Sequence, residues 1–281
     1  MSILALPHKA GIGLRQQHWQ DMCDTRPAVG FLEIHAENFS GDIGRSECEN
    51  LRRDYPFSLH AVGLSLVSAD GIDTKHLDRV AELAVWLQPL FISDHLCWSS
   101  LGGKYFNDLM PFPFTEESLQ IVGDNILKAQ ERFERPLLIE NISAYLQFRD
   151  SAIPEAEFMA ALIRYTGCGI LCDVNNAYVN QINHGVDALT WMRALPAEAV
   201  REIHLAGHHV NKVEGGEILI DDHGSRVIEP VWNLYTESVK LFPHAVTLIE
   251  WDTNIPALEV LVDEAQKADA IRAGGIDARA A

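Results

Sequence analysis

Basic residues are scarce in this chain: 22 lysines and arginines stand against 40 aspartates and glutamates, which gives a formal net charge of -18. Proteins that bind nucleic acids rely on Lys and Arg to neutralise phosphate groups. The composition therefore argues against a nucleic-acid partner. A basic or zwitterionic peptide would be a more suitable partner for so acidic a chain.

Long apolar runs are also absent. The apolar start, residues 3–6, is too short for the core of a signal peptide and is closed by Pro7. No run approaches the roughly 20 residues that a membrane-spanning helix needs. We therefore predict a soluble cytoplasmic protein with no membrane partner. Its apolar content of 47% is still enough for a large core.

Cysteine is limited to five residues, an odd number, and no C-x-x-C pair occurs. This count argues against a disulfide framework and against a zinc ribbon. Cys168 and Cys172 lie on the side of their predicted strand opposite to Asp173. We predict that both are small core residues that face the covering helices.

Eight strand-like apolar runs alternate with helical patterns along the chain. The runs span residues 11–15, 29–35, 57–62, 90–95, 137–141, 169–175, 200–205 and 246–251. Eight parallel β/α units can close into a (β/α)8 TIM barrel, and we predict this α/β fold. An open doubly wound sheet is the alternative, but the glycine-rich turn G-x-G-x-x-G after the first strand is missing.

The clearest helical patterns span residues 75–87, 116–133, 155–165 and 256–268. Thr115 provides a helix start signal, as do the prolines at positions 154, 230 and 256. We predict one barrel domain over residues 1–268 and a mobile tail over residues 269–281. Two connections, residues 97–114 and 206–229, are longer than a barrel needs, which is typical of loops that cover a site.

Apolar runs that close on His, Asp or Glu recur at several predicted strand ends. Strand C-termini converge on one mouth of a barrel, so these side chains would become neighbours there. The candidate donors are His60, His95, Glu140, Asp173, Asn176, His204, Asp221, His223 and Glu250. So many buried imidazoles, carboxylates and amides would repel or lie unpaired without cations. Nitrogen and oxygen donors without Cys favour Fe, Zn or Mn.

Taken singly, each of these residues has a simpler interpretation as an ordinary hydrogen-bonded group. Asp221 and His223 are the weakest candidates, because a D-x-H sequence in a polar loop is common. The argument for metal rests on the repetition at six strand ends. Elsewhere, His8, His18, His76 and His244 are expected to be solvated.

The spacing of the nine donors resembles the trinuclear zinc site of endonuclease IV. That resemblance implies that Glu140 bridges two metals. It assigns His60 and His95 to one metal, Asp173, His204 and Glu250 to another, and Asn176, Asp221 and His223 to a third. Asn176 departs from the pattern, since the endonuclease has His at that position. The acidic composition also suits DNA poorly.

A more extensive resemblance lies in longer motifs. These are Gly11-Ile-Gly-Leu-Arg15, Glu33-Ile-His-Ala-Glu-Asn-Phe39, Ser93-Asp-His95, Glu140-Asn-Ile-Ser143, Asp173-Val-Asn-Asn176, Asn183-His-Gly185, Glu202-Ile-His-Leu-Ala-Gly-His208 and Glu250-Trp-Asp252. Together they resemble the multinuclear non-heme iron-dependent oxidative enzymes, the MNIO family, which includes the methanobactin-biosynthesis oxidase. The match covers residues 11–264.

The resemblance implies a xylose isomerase-like TIM barrel with the metal site at its C-terminal face. It further implies two or three iron ions in a mixed Fe(II)/Fe(III) state, and O2 as co-substrate. The expected reaction is the modification of Cys in a ribosomally made precursor peptide (RiPP maturation). No leader-binding module follows the last predicted helix, so we expect a separate partner protein to recognise the leader peptide. A homodimer is compatible with the sequence.

A further set of polar residues lies beside the candidate ligands or elsewhere in the motifs. We expect them to orient the ligands or to bind the peptide. They are Asp94, Asn141, Asn175, His184, His208, Asp252, Arg15, Glu33, His35, Glu37 and Asn38. Their simpler interpretation is that of ordinary polar residues of a barrel.

Three other functions stay open at this stage. A zinc hydrolase of phosphoesters would act without iron, and a Mn- or Mg-dependent sugar isomerase or epimerase would turn over without O2. A metal-binding scaffold protein would catalyse no reaction.

Overall fold

The computed structural model of the protein describes residues 6–39 and 42–280. Within these residues the strands are β1 (Gly11–Gly13), β2 (Leu32–His35), β3 (Phe57–His60), β4 (Ile92–His95), β5 (Trp98–Leu101), β6 (Lys104–Met110), β7 (Leu138–Glu140), β8 (Gly169–Asp173), β9 (Val200–Leu205), β10 (His209–Val213), β11 (Gly216–Ile220) and β12 (Val246–Ile249). Eight of them close into a barrel in the order β1-β12-β9-β8-β7-β4-β3-β2. Neighbouring barrel strands are parallel, which confirms the predicted fold.

Helices connect the barrel strands. They are α1 (Trp19–Thr25), α2 (Asp42–Leu51), α3 (Thr74–Leu87), α4 (Glu116–Phe133), α5 (Glu155–Thr166), α6 (Val174–His184), α7 (Ala188–Ala194), α8 (Glu229–Leu241) and α9 (Leu258–Ala280). Among these helices, none combines the length and the apolar character that crossing a bilayer requires.

Local signals set several helix starts. Thr115 caps α4 by accepting a hydrogen bond from Ser118 N, and the Ser118 hydroxyl accepts one from Thr115 N. Asp73 caps α3 through the backbone N–H groups of Lys75 and His76. Such caps satisfy N–H groups that a helix leaves unpaired in its first turn.

The core lies between the barrel and its helices. The predicted apolar stripe of α3, from Leu77 to Leu87, is buried. Cys168 and Cys172 are buried free thiols in the same core cluster, as predicted. Apolar strands covered on both sides are typical of parallel sheets, and their burial fixes the register of the strand ends that carry polar side chains.

The two long connections contain β-hairpins, which the sequence analysis did not predict. Strands β5 and β6 pair in one, and β10 and β11 pair in the other. Gly102 and Gly103 both have positive φ in the first turn, and Gly215 has positive φ in the second. Glycine adopts this conformation without steric cost, so the turns explain the hairpins.

The segment predicted as a tail begins within helix α9. Helix α9 continues past residue 268 to Ala280, and its Asp269 accepts a hydrogen bond of 2.7 Å from Ala10 N. Arg272 donates to the carbonyl of Ala245. The predicted tail therefore starts inside a helix that contacts the barrel, while its last residue, Ala281, lies outside the described residues.

Two histidines expected to be solvated are buried. His18 donates through Nε2 to the carbonyl of Pro256 at 2.8 Å, and His76 donates through Nε2 to Glu37 Oε1 at 2.9 Å. The expectation that His18 and His76 are solvated is therefore wrong. Their partners are distant in sequence, so these contacts form only when the chain folds. In each side chain the buried Nε2 atom is paired.

Gly30 lies where the chain enters β2 against Lys9. A Cβ atom at Gly30 would lie 1.9 Å from the carbonyl oxygen of Lys9. We expect Gly30→Ala to lower the free energy of unfolding by about 2–3 kcal/mol, because the backbone must shift to relieve the overlap. Urea unfolding curves measure this change. Gly216→Ala is the control, since its Cβ would meet no atom within 4 Å. Equal stability of the two variants would contradict the close approach.

Candidate metal centre

The barrel register brings the candidate donors together at the C-terminal ends of the strands. His95 lies beside Glu140 in the pairing of β4 with β7, and Asp173 lies beside His204 in the pairing of β8 with β9. Glu250 follows the last residue of β12. Five strands thus direct imidazoles and carboxylates into one buried region, as the sequence pattern predicts.

The first donor group consists of His60, His95 and Glu140, whose ligand atoms lie within 4.8 Å of one another. Glu140 Oε2 lies 3.4 Å from His60 Nε2 and 3.5 Å from His95 Nε2. Two ligands of one tetrahedral zinc ion lie about 3.4 Å apart. The spacing is therefore what a shared metal ion requires.

Ser93 orients one ligand of this group, and the sequence analysis did not select it. Its hydroxyl lies 2.8 Å from His60 Nδ1. When Nδ1 donates to this oxygen, Nε2 carries no proton and can bind a metal. Burial, together with the charge of His95, lowers the pKa of His60 well below its ordinary value, and burial lowers the pKa of His95 to about 4. Both imidazoles are therefore neutral at pH 7, as metal binding requires.

The second donor group consists of Glu140, Asp173, His204 and Glu250, again with ligand atoms within 4.8 Å. Glu140 belongs to both groups. Asp173 caps α6 by accepting a hydrogen bond from Asn176 N at its Oδ1, while its Oδ2 is buried and has no hydrogen-bond partner in the described part of the chain. One carboxylate thus starts a helix with one oxygen and leaves the other available to a metal.

The unpaired atoms of the two groups support metal binding. Both oxygens of Glu140 are buried and lack a hydrogen-bond partner among residues 6–39 and 42–280. Burial raises the pKa of Glu140 well above its ordinary value and that of Asp173 to about 7. A bound cation would replace these protons and complete the bonding of the carboxylates. The residues therefore fit a metal centre.

His204 contacts Glu250 within the second donor group and Glu33 of β2 outside it. Its Nδ1 lies 2.9 Å from Glu250 Oε2, and its Nε2 lies 3.5 Å from Glu33 Oε1. Although burial opposes a charge, the carboxylates of Glu33 and Glu250 raise the pKa of His204. A carboxylate behind a ligating imidazole fixes its tautomer and increases its basicity.

Glu202 is a second residue that the sequence analysis did not select. It is fully buried, it accepts a hydrogen bond of 3.1 Å from Ser58, and its ligand atoms lie within 4.8 Å of those of Glu33 and His204. Burial and the nearby Glu33 raise its pKa to about 8. Its position two residues before His204 on β9 was the available signal, because alternate residues of a strand share a face.

The third predicted donor group comprises Asn176, Asp221 and His223, of which Asp221 and His223 are in direct contact. His223 Nε2 lies 2.7 Å from Asp221 Oδ1, and His223 Nδ1 lies 3.4 Å from Glu250 Oε2, which connects this group to the second. Asn176 Oδ1 is buried without a hydrogen-bond partner within the described ranges. The loop that follows β11 thus brings the D-x-H sequence to the strand ends.

A charged network holds this group in place. Arg15 donates to Asp252 Oδ1 through Nη2 at 2.5 Å, and His223 Nδ1 donates to Asp252 Oδ2 at 2.9 Å. Burial opposes ionisation of Asp252, but His223 and Arg15 outweigh it and lower its pKa to about 2. His35 lies 3.2 Å from Glu250 Oε1. Arg15, His35 and Asp252 therefore surround the ligands on one side.

Three amide or imidazole side chains support the ligands on the other side. Asn141 accepts a hydrogen bond from Asp173 N and donates to Asp173 O, both at 2.9 Å. Asn175 donates to Asp221 Oδ1 at 2.7 Å and accepts a hydrogen bond from His208 Nδ1 at 2.7 Å. These contacts lock the ends of β8 and β11 relative to each other.

The remaining predicted residues lie farther from the three groups or act elsewhere. Asp94 is buried and accepts a hydrogen bond from Leu64 N. Glu37 accepts one from Val62 N and one from His76. Asn38 lines a further cavity of ≈ 460 Å³ with Arg15 and His35. His184 donates to Ala144 O at 2.6 Å and lines a separate apolar cavity.

A polar cavity of ≈ 430 Å³ opens beside the third donor group. Its lining includes Asp221 and Ser143, together with Tyr105 and Phe106 from strand β6 of the first hairpin. The Tyr145 hydroxyl accepts a hydrogen bond from Asp221 N at 3.1 Å. The cavity therefore reaches Asp221, one of the candidate donors.

The barrel and its buried donors define the class of protein: a TIM-barrel protein with a candidate multinuclear metal centre at the C-terminal face. A family model described as RiPP precursor modification enzyme MbnB/TglH/ChrH matches residues 9–273. The chain belongs to this family, which confirms the resemblance to the MNIO family. Membership implies an enzyme that modifies a ribosomally made precursor peptide.

Two bacterial relatives are similar over most of their length. A UPF0276 protein of Vibrio vulnificus (strain CMCP6) is 44% identical over 267 residues, which cover 94% of this chain and 91% of the relative. A UPF0276 protein of Acaryochloris marina is 45% identical over 261 residues, which cover 92% and 93%.

Solved structures share the fold at low identity. A xylose isomerase-like TIM barrel protein from Mycobacterium smegmatis in complex with magnesium has a TM-score of 0.59 at 11% identity and covers 98% of this chain and 99% of its own. Endonuclease IV from Thermus thermophilus has a TM-score of 0.54 at 16% identity, with coverage of 96% and 99%. At these identities the likeness concerns the fold alone.

Proposed function

We propose that the protein is a multinuclear iron-dependent oxidase that uses O2 to modify Cys residues of a ribosomally made precursor peptide. The observation that supports this most strongly is the position of Glu140, a single buried carboxylate that belongs to two donor groups at once. A carboxylate with two free oxygens can bridge two metal ions. The third donor group provides a place for one more.

Iron suits the donor set and the reaction. The ligands of the proposal are imidazole nitrogens, carboxylate oxygens and one amide, without Cys, a set that suits iron. Iron, when bound, supplies the one-electron steps and the affinity for thiolate and O2 that oxidation of Cys requires; Zn does not change its oxidation state.

Different residues of this chain would then hold the ions, orient the ligands and control access to the site. The two donor groups that share Glu140 hold the ions. Ser93 and Glu33 set the tautomers of His60 and His204. Arg15 and Asp252 fix His223 through its Nδ1, so that Nε2 faces Asp221. The buried strand ends limit access of water, and the polar cavity beside Asp221 admits the peptide.

The test is O2 uptake by protein purified and loaded with Fe(II) without oxygen. We expect a peptide that contains Cys to trigger O2 consumption and a change in peptide mass, while the same peptide with Ser in place of Cys triggers neither. Protein loaded with Zn is the second control and should be inactive. Equal O2 uptake with the Ser peptide, or turnover by the Zn protein, would exclude the proposed function.

We further propose that a separate partner protein recognises the leader part of the precursor. Mixing the pure enzyme with precursor, with and without candidate partner proteins, tests this point. We expect the partner to increase turnover. Full turnover by the enzyme alone would refute the requirement.

A further inference from the structure

An apolar cavity of ≈ 640 Å³ lies beside the candidate metal centre and is distinct from the polar cavity at Asp221. Three of its lining residues each follow a proposed ligand in the chain: Leu96 follows His95, Asn141 follows Glu140, and Ala177 follows Asn176. The cavity therefore lies against the segments that carry three of the proposed ligands. Nothing in the proposed metal centre uses it.

The walls of the cavity are mainly apolar and aromatic. Phe112 and Phe114 line it with ring centroids 4.9 Å apart, and Phe158 packs against both at 5.6 Å and 5.0 Å. At the rim, Leu146 is 49% exposed and Phe148 is 38% exposed. Exposed apolar side chains around an apolar cavity are typical of a binding site for an apolar group.

The segment that covers the cavity, residues 142–154, is fixed at both ends. Asn180 on α6 accepts a hydrogen bond from Ala144 N and donates to Ile142 O. At the other end, the N–H groups of Ala152 and Ile153 both donate to Phe114 O. The cavity is therefore largely formed before a ligand arrives, which lowers the entropic cost of binding.

The lining contains two polar side chains that lie close together, Trp191 and Glu155. Trp191 is only 8% exposed. Burial raises the pKa of Glu155 to about 7, although a hydrogen bond from the Trp191 indole opposes that rise. Because the indole N–H is already directed at a carboxyl group, the apolar walls are what the cavity offers to a ligand.

We propose that this cavity is a subsite for a bulky apolar side chain of the precursor peptide, a few residues from the Cys at the metal centre. The proposal rests on the proposed function for its choice of ligand. A peptide fits best because the cavity lies against segments that carry three proposed ligands, its walls are mainly apolar, and the chain belongs to a family that modifies peptides. The cavity volume exceeds that of a single large side chain and leaves room for its backbone.

The experiment measures peptide binding without turnover. Fluorescent synthetic peptides of about a dozen residues carry one Cys and a single Phe, placed in turn at each position within roughly five residues of the Cys; the matched peptides carry Ala instead. Fluorescence anisotropy with iron-loaded protein in the absence of O2 gives the affinities. We expect the best Phe peptide to bind at least about tenfold more tightly than its Ala counterpart, as burial of one large apolar side chain predicts.

Two variants of α7 fill the cavity from its rim. Thr190 and Ala194 are exposed residues that line it, so Thr190→Trp and Ala194→Trp should reduce the preference for Phe to less than about twofold. The cap of α7 is kept, because Asp187 accepts its hydrogen bond from the backbone N–H of Thr190. Arg193→Trp is the matched control on the same helix, since Arg193 is exposed and outside the cavity lining. It should keep the full preference.

Iron content and O2 uptake are measured on the same preparations, which separates this inference from the proposed function. Equal binding of Phe and Ala peptides to the wild-type protein would overturn the subsite, even where Cys is oxidised. A preference that survives in both cavity-filling variants would overturn it as well. A preference lost only in those variants would support the subsite, even if no peptide were oxidised and the oxidase function had to be abandoned.

Discussion

Replacing Glu140 by Gln should reduce the bound iron from two or three ions to at most one per chain and lower turnover by at least about 100-fold. Glu140 is fully buried, and its Oε2 lies within 3.5 Å of both His60 Nε2 and His95 Nε2. Gln keeps the shape but removes the charge and one of two acceptor oxygens, so neither of the two donor groups can be completed. Metal analysis of protein prepared without oxygen measures the loss.

The fold of the Glu140→Gln variant should survive, because without metal this position carries a carboxyl group whose pKa is raised by burial, and a neutral amide suits the same environment. Added Fe(II) should raise the melting temperature of the wild type but not that of the variant. Glu131→Gln, at an exposed position of α4, is the control for the chemical change itself. Wild-type iron content and activity in the Glu140→Gln protein would contradict the bridging role.

Replacing Asp221 by Asn should remove one iron ion and leave two. Asp221 Oδ1 lies 2.7 Å from His223 Nε2, and the group's other member, Asn176, is a neutral donor. Such a site holds its ion more weakly than the two groups that share Glu140, so its occupancy depends strongly on the charge of Asp221. We expect the apparent affinity of this site for Fe(II) to fall by at least about 100-fold. Stepwise removal with a chelator, followed by metal analysis, measures the order of release.

The neighbouring residue provides the control for this variant. Asp222 accepts a hydrogen bond from Gly224 N and belongs to none of the three donor groups. Asp222→Asn should therefore bind iron as the wild type does. Loss of all iron in Asp221→Asn, or loss of none, would contradict a separate third site at this position.

The barrel, and the convergence of the candidate donors at its strand ends, could be predicted from the sequence because both depend on local patterns. Each apolar run that ends in His, Asp or Glu fixes a strand and its polar end, as at His95 and Glu140. Barrel closure then brings these ends together without further information. The helix start at Thr115 is equally local, because its cap contacts the backbone N–H of Ser118 three residues later.

Groups that act through partners distant in sequence could not be found in this way. Ser93 contacts His60 only because β3 and β4 are neighbours in the barrel. His18 is buried against Pro256, 238 positions away in the chain. Strand periodicity alone places Glu202 on the same face of β9 as His204. Its membership of a donor group, however, also depends on Glu33, which lies on another strand. The register of a sheet, not the local pattern, decides which side chains meet.

The first hairpin has a sequence signal, a pair of glycines, but the segment around it was predicted only as a long connection. Gly102 and Gly103 follow the strand-like residues of β5, and paired glycines between two extended segments favour a tight hairpin turn. The hairpin matters for the site because Tyr105 and Phe106 of β6 line the polar cavity beside Asp221.

The most direct test is X-ray diffraction from crystals of the protein loaded with iron in the absence of oxygen, recorded above and below the iron absorption edge. We expect one anomalous peak between His60, His95 and Glu140 and a second between Glu140, Asp173, His204 and Glu250, about 3.5–4 Å apart, as in two-metal sites with a shared carboxylate. Maps without an iron peak at Glu140, or with a single peak away from it, would contradict the multinuclear centre.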